Sequence, residues 1–145
     1  MDGKGESGSH ILVVDDHGDT RLMLRRVLEH YGYRVAEAAD GRQAVETARR
    51  QCPDLILMDL NLPGVDGVEA TRLIRELRGL CHVPVIAVTA HDTEEYRRSA
   101  ILAGCNDYVT KPPEQEQLLE KVKVLLEAGR AALLAATMSA ALGAR

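Results

Sequence analysis

Short apolar runs alternate along the chain with longer stretches in which apolar residues recur every three or four positions. His10–Val14 reads HILVV, Leu55–Met58 reads LILM, and Val85–Val88 reads VIAV. Unbroken runs of this length suit strands buried on both faces, as in a parallel sheet. Arg34–Ala38 and the shorter Tyr108–Thr110 are two further strand candidates. Between the runs, Leu24, Val27, Leu28 and Tyr31 fall at helical spacing, as do Ala70, Leu73, Ile74 and Leu77. Leu118, Leu119, Val122, Leu125 and Leu126 repeat that spacing near the end. Gln43–Arg50 and Asp92–Ala103 supply two more helices, the latter with a thin apolar stripe. Gly32 and Gly104 stand where helices stop, and Cys52-Pro53 closes the second, because the residue before a proline is pushed out of the helical region. Five strands alternating with five helices predict an α/β fold, a three-layer αβα sandwich of (βα)5 type with a five-stranded parallel sheet and right-handed crossovers.

Composition narrows this picture. A chain of 145 residues and 15.8 kDa can bury roughly two thirds of its unfolded surface, so it needs no disulfide or metal staple. At 46% hydrophobic and 28% charged it is neither disordered nor fibrous. A net charge of −4 and the absence of Phe and Trp argue against direct nucleic-acid binding, which wants a basic face and stacking rings. Cys52, Cys81 and Cys105 show no CxxC pair and read as small core residues in a reducing compartment. Residues 1–9 (MDGKGESGS) form a polar leader without the apolar segment of a secretory signal, and uncharged apolar stretches fall short of the about 20 residues of a membrane span. The expectation is a cytoplasmic protein without a membrane partner, with the leader at 1–9, the globular domain at 10–127 and an Ala/Leu-rich extension at 128–145.

Candidate chemistry gathers at one edge. Ligands of open parallel sheets sit beyond the carboxyl ends of the strands. The first strand ends in Asp15-Asp16, the third in Asp59, the fourth in Thr89, and the fifth runs out at Lys111. Three adjacent carboxylates repel one another unless a cation joins them. A hard divalent ion such as Mg²⁺, held by a few carboxylates and water, resolves that repulsion. Lys111 adds a point charge for a phosphoryl oxygen and Thr89 a hydroxyl donor. The set fits phosphoryl chemistry on a carboxylate nucleophile. Any one acid after a strand is more often a loop or cap residue; four compatible strand ends are much harder to obtain by accident.

VVDD at Val13–Asp16, LILMDLNLPGVDG at Leu55–Gly67, VIAVTA at Val85–Ala90 and DYVTKP at Asp107–Pro112 together resemble the receiver domain of bacterial two-component response regulators, over about residues 10–127. The resemblance implies a flavodoxin-like sheet in the order 2-1-3-4-5. It implies that Asp59 is the phosphoacceptor, that Asp16 binds Mg²⁺ directly and Asp15 through water, and that the backbone carbonyl of Asn61 completes the ligand set, with Mn²⁺ an alternative ion. Thr89 and Lys111 match the pair that contacts the phosphoryl group, and Tyr108 the aromatic that turns inward when Thr89 moves. Lys111-Pro112 is expected to be cis. Pro63, Gly64 and Gly67 shape the loop after Asp59. His91, two residues past Thr89, and Asn61 stand where they would tune the lifetime of the phosphoryl group.

The implied function is a signalling switch, not an enzyme beyond self-catalysed gain and loss of its own phosphoryl group. The donor would be a histidine kinase or a histidine phosphotransfer protein. A downstream protein of unknown identity would engage the face made by the fourth helix, fifth strand and fifth helix. The chain would be a monomer, or a weak dimer through that face or through the extension. Alternatives are a receiver module excised from a hybrid kinase or a multidomain regulator, and a remote one, an aspartyl-nucleophile phosphatase, which lacks its second acid because Leu60-Asn61 follow Asp59. A flavodoxin-like cofactor binder would want a phosphate loop after the first strand, and none is present. His10, His17, His30, His82 and His91 show no paired metal spacing and read as surface or packing residues. Leu119, Val122, Leu126, Leu133, Ala136 and Ala140 come near a heptad seam, with Gly129 as a defect. The extension reads as a helical dimer or partner contact segment, with a linker or a frayed tail as alternatives.

Overall fold

A computed structural model describes residues 8–143; residues 1–7 of the leader and 144–145 of the extension lie outside that range. The elements run β1 (His10–Val14), α1 (Gly18–His30), β2 (Arg34–Ala38), α2 (Gly41–Gln51), β3 (Leu55–Asp59), α3 (Gly67–Arg75), β4 (Val85–Thr89), α4 (Glu94–Ala103), β5 (Asp107–Thr110) and α5 (Gln115–Gly143). All strand pairs are parallel, and the sheet order is β2-β1-β3-β4-β5.

The inner strands are apolar throughout because each face of the sheet carries its own core. Ile11, Val13, Leu55 and Leu57 point to α1 and α5, where Leu24, Leu28, Leu118, Val122 and Leu126 meet them. Leu12, Val14, Ile56 and Met58 point to the other side, against Ala44, Ala48, Ala70, Ile74 and Ala100 of α2, α3 and α4. Each large aliphatic side chain so buried contributes about 1.5–3 kcal/mol from removal from water. Alanines on the second face let three helices share the sheet.

The helix starts follow cap chemistry. Asp40 accepts from the Gln43 N–H at 2.8 Å while the Gln43 side chain accepts from the Ala39 N–H, so α2 begins at Gly41, two residues before the expected start. Thr93 accepts from the Tyr96 N–H, which moves the start of α4 from Asp92 to Glu94. Cys52 closes α2 in the left-handed region, at φ 46°. Two cysteines depart from expectation: only Cys105 is buried, whereas Cys52 and Cys81 lie in exposed turns beside Pro53 and after Gly79.

Arg75, at the end of α3, reaches across to the end of α4. Its guanidinium donates to the carbonyls of Gly104, Leu80 and Val83 and to the Asn106 side chain, at 2.5–3.3 Å. Asn106 Oδ1 also accepts from the Val85 N–H, joining the starts of β4 and β5.

α5 continues through Gly129 to Gly143. The expected heptad seam is not available as a free stripe, because Val122 and Leu126 are buried in the domain; Leu133, Leu134, Met138 and Leu142 are exposed. Among the described residues α5 alone is long and apolar enough, by length and composition, to cross a membrane. Its uncharged part begins only at Ala131, so within the described helix it is roughly 20 Å long against a hydrocarbon core of about 30 Å.

Candidate functional site

The carboxyl edge of the sheet collects the chemistry. Asp15 follows β1 directly, and the β1–β3 register, Val14 opposite Met58, carried one residue further sets Asp15 beside Asp59. Asp59 pairs with Val88, so Thr89 lies one step beyond it on β4; Thr110 pairs with Thr89, and Lys111 comes next. Asp15, Asp59 and Thr89 are buried, while Asp16 and Asn61 are exposed.

The Lys111 Nζ donates to Asp15 Oδ2 at 2.6 Å and to Asp59 Oδ2 at 3.0 Å. The other oxygens face backbone: Asp59 Oδ1 accepts from the Asn61 N–H at 3.0 Å, and Asp15 Oδ1 from the His17 N–H at 2.8 Å. Burial pushes the Asp59 carboxyl above its ordinary range, with the Asn61 N–H and Lys111 opposing. Burial acts on the Lys111 ammonium in the opposite sense, yet its hydrogen bonds to Asp15 and Asp59 prevail and raise it. One ammonium therefore serves two buried carboxylates, with Asp16 adjacent, and the pocket retains excess negative charge. Single donor atoms of Asp15, Asp16, His17 and Asp59 lie within 4.8 Å of one another. These are mostly hard oxygen donors, and they fit a divalent cation.

Lys111→Ala would leave Asp15 and Asp59 buried without a counter-charge. Removing one partner of such a buried set costs about 3–5 kcal/mol, and the partial exposure of Lys111 places the expected loss near 3. Thermal melts in chelator against Lys111→Arg check it; an unchanged midpoint would mean that the ammonium contributes nothing to folding.

A chain of contacts leads outward from Thr89. Its Oγ1 accepts from the His91 N–H at 3.1 Å, and the His91 carbonyl accepts from the Tyr108 hydroxyl. The tyrosine hydroxyl is therefore bonded to backbone. Arg97 lies 5.3 Å over the Tyr108 ring and pairs with Asp92 at 2.7 Å, while the His91 ring stacks on Tyr96. Lys111-Pro112 is cis. The loop after Asp59 closes through Gly67, whose N–H donates to the Leu60 carbonyl at 3.0 Å.

Three residues escaped the sequence reading. Arg21 donates to the Asp15 carbonyl at 2.7 Å and pairs with Glu37, bracing the turn that carries both acids. Its signal was its place on the first turn of the helix after Asp15-Asp16. His17 is a surface residue, as expected, but its ring faces the acids, which its spacing does not reveal. Arg97 gave no local signal, because its partner Tyr108 is distant in sequence.

A family profile described as "Response regulator receiver domain" matches residues 11–123. The chain belongs to the response regulator receiver family. This receiver is 36% identical over 118 residues to Protein PilH of Pseudomonas aeruginosa, across 81% of the chain and 98% of PilH. It is 37% identical over 120 residues to the CAI-1 autoinducer sensor kinase/phosphatase CqsS of Vibrio cholerae, across 82% of the chain but 18% of CqsS. Among solved structures, the receiver domain of the sensor histidine kinase PA1611 from Pseudomonas aeruginosa, with a magnesium ion coordinated in its active site cleft, superposes with a TM-score of 0.78 at 40% identity, covering 83% of this chain and 99% of that one. The expected sheet order of the receiver fold, 2-1-3-4-5, is the one found. This receiver is thus a module of two-component signalling.

Proposed function

We propose that this receiver is a phosphorylation-dependent switch in which Asp59 takes a phosphoryl group from the phosphohistidine of a histidine kinase or phosphotransfer protein. The observation that carries the reading is the Asp59 carboxylate, buried at the meeting of four strand ends with Lys111 on one oxygen and the Asn61 N–H on the other. A carboxylate oxygen of Asp59 forms the new bond to phosphorus as the phosphorus–nitrogen bond of the donor breaks and its imidazole leaves. Asp15, Asp16, Asp59 and the carbonyl of Asn61 would hold Mg²⁺, or Mn²⁺, which when bound would supply charge neutralisation for the phosphoryl oxygens. Lys111 transfers its hydrogen bond from carboxylate to phosphoryl oxygen, and the Thr89 hydroxyl donates a second.

Once Thr89 turns to the phosphoryl group, its contact with the His91 N–H loosens. The His91 segment then releases the Tyr108 hydroxyl, and the ring moves inward. That shift alters the face of α4, β5 and α5, where a partner protein docks. Residues 10–127 constitute the switch, and the reading places it in the cytoplasm. The match to a small part of CqsS, together with the exposed run of α5 past Leu126, supports a second reading, in which 128–145 links the receiver to further domains of a hybrid kinase or regulator.

Intact mass of the full chain tests the first reading. Incubation with Mg²⁺ and acetyl phosphate is expected to add the mass of one phosphoryl group, and a chelator is expected to prevent it. No adduct from acetyl phosphate or from a purified phosphohistidine donor would overturn the assignment.

A further inference from the structure

His17 occupies the N-cap of α1 but caps nothing: no helix N–H reaches its side chain. Residues chosen for this position ordinarily place a short side-chain oxygen over the first turn, so the imidazole has another task or none. Its side chain is 70% exposed, yet the ring is turned back onto the acids. Nδ1 lies 3.2 Å from Asp15 Oδ1 and 3.1 Å from Asp16 Oδ1. Lys111 uses the opposite oxygens, Oδ2 of Asp15 and Oδ2 of Asp59. The pocket therefore has one flank with an ammonium on it and another on which a nitrogen and two carboxylate oxygens converge.

We propose that His17 is a metal ligand of this pocket and biases it toward borderline divalent cations, of which Co²⁺ and Ni²⁺ are representative, relative to Mg²⁺. The inference rests on the reading of Asp15, Asp16 and Asp59 as a cation site. Two donors bound cis on an octahedral ion at about 2.1 Å stand about 3 Å apart, close to the 3.1 Å that Nδ1 keeps from the oxygen of Asp16, the acid expected to bind the ion directly. Imidazole suits Co²⁺, Ni²⁺ and Zn²⁺, whereas Mg²⁺ takes oxygen and water. A nitrogen added to an oxygen set thus favours the former group and leaves Mg²⁺ nearly indifferent. The rival role, an imidazolium paired with two carboxylates, makes the opposite prediction: it competes with every cation, and its removal tightens all of them.

Calorimetric titration of the full chain with Mg²⁺ or Co²⁺ separates these roles, using wild type, His17→Ala and the double variant Asp15→Asn/Asp16→Asn. His17 is exposed and caps no N–H, so its removal leaves the helix start intact. His17→Ala is expected to weaken Co²⁺ binding about tenfold and to leave Mg²⁺ within about twofold. His17→Gln, which keeps a polar side chain without the imidazole, is expected to behave as His17→Ala. In ring-proton NMR, one equivalent of Co²⁺ is expected to shift His17 before His10, His30, His82 or His91. Equal weakening of both ions, tightening of both, or no change in either would overturn the role of His17 while leaving the cation site standing. Absence of Mg²⁺ binding in wild type, or binding unaffected by the double variant, would overturn the cation site itself and His17 with it.

Discussion

Asp59→Asn is expected to abolish phosphoryl uptake and, without divalent ions, to raise the melting temperature. The amide keeps the size of the side chain and its contact with the Asn61 N–H, but it has no anionic oxygen to attack phosphorus. The stability change follows from the raised carboxyl of Asp59, which burial causes. A folded state that holds this proton more tightly than the unfolded chain is favoured while the group is protonated. Stability from Asp59 is present below its unfolded range, is lost as pH rises through the folded value, and at neutral pH the ionised group is a net cost. The amide removes that cost; its NH2 group replaces the oxygen that accepted from Lys111, and the ammonium turns to its remaining partner, Asp15. Melts from pH 4 to 8 in chelator are expected to show the variant gaining on wild type as pH rises. An adduct on Asp59→Asn equal to that of wild type would move the acceptor elsewhere. A variant less stable than wild type at pH 7 would contradict the electrostatic account.

Gly67→Ala is expected to cost about 3 kcal/mol or more and to reduce phosphoryl uptake with it. A Cβ at Gly67 would lie 2.1 Å from the Asp59 carbonyl oxygen and 2.6 Å from the Leu60 Cα. Both obstacles are backbone, so no side-chain rotation relieves them. Either the N-terminus of α3 or the end of β3 must shift, and the second movement displaces Asp59. Gly64→Ala is the control: its positive φ of 70° meets no atom within 4 Å, so only the left-handed penalty of about 1–2 kcal/mol applies. Urea unfolding of the two variants checks the ordering. Equal losses would show that the α3 entry yields easily.

Most of the architecture was legible because parallel strands buried on both faces must be written as apolar runs, and Ile11–Val14, Leu55–Met58 and Val85–Val88 are such runs. The strand-end residues were legible for the same reason: a charge or hydroxyl directly after such a run lies at the sheet edge. Helix starts were harder. Asp40 caps α2, but the apolar stripe that marks α2 begins after it, whereas the expected start of α4 at Asp92 falls one residue before its Thr93 cap. The path of α5 was open, since Gly129 lowers helix propensity by only about 1 kcal/mol and its neighbours are strong helix formers. Arg75 and Arg97 stayed hidden because Gly104 and Tyr108, which they meet, are distant in sequence, and the turn of the His17 ring toward the adjacent Asp15 and Asp16 is a matter of side-chain orientation. Cys52 and Cys81 were misjudged because cysteine's average burial says nothing about turns beside Pro53 and Gly79.

The guanidinium of Arg75 has a mechanical consequence. It fixes Gly104, and with it the last turn of α4, to the end of α3 and the start of β5. The opposite end of α4 is held by the Thr93 cap, worth about 1 kcal/mol, and by contacts at the surface: the solvent-screened Asp92–Arg97 pair, the Arg97–Tyr108 contact and the His91–Tyr96 stack. The helix is thus a lever pivoted at its C-terminus, about 15 Å long over Glu94–Ala103. A swing of about 15° displaces its free end by about 4 Å on that length, and that end adjoins His91 and Thr89. In the proposed switch, movement begun at the carboxylates would be amplified at the start of α4 and would vanish at Gly104, so a partner docked there would meet the largest change where its surface borders the pocket.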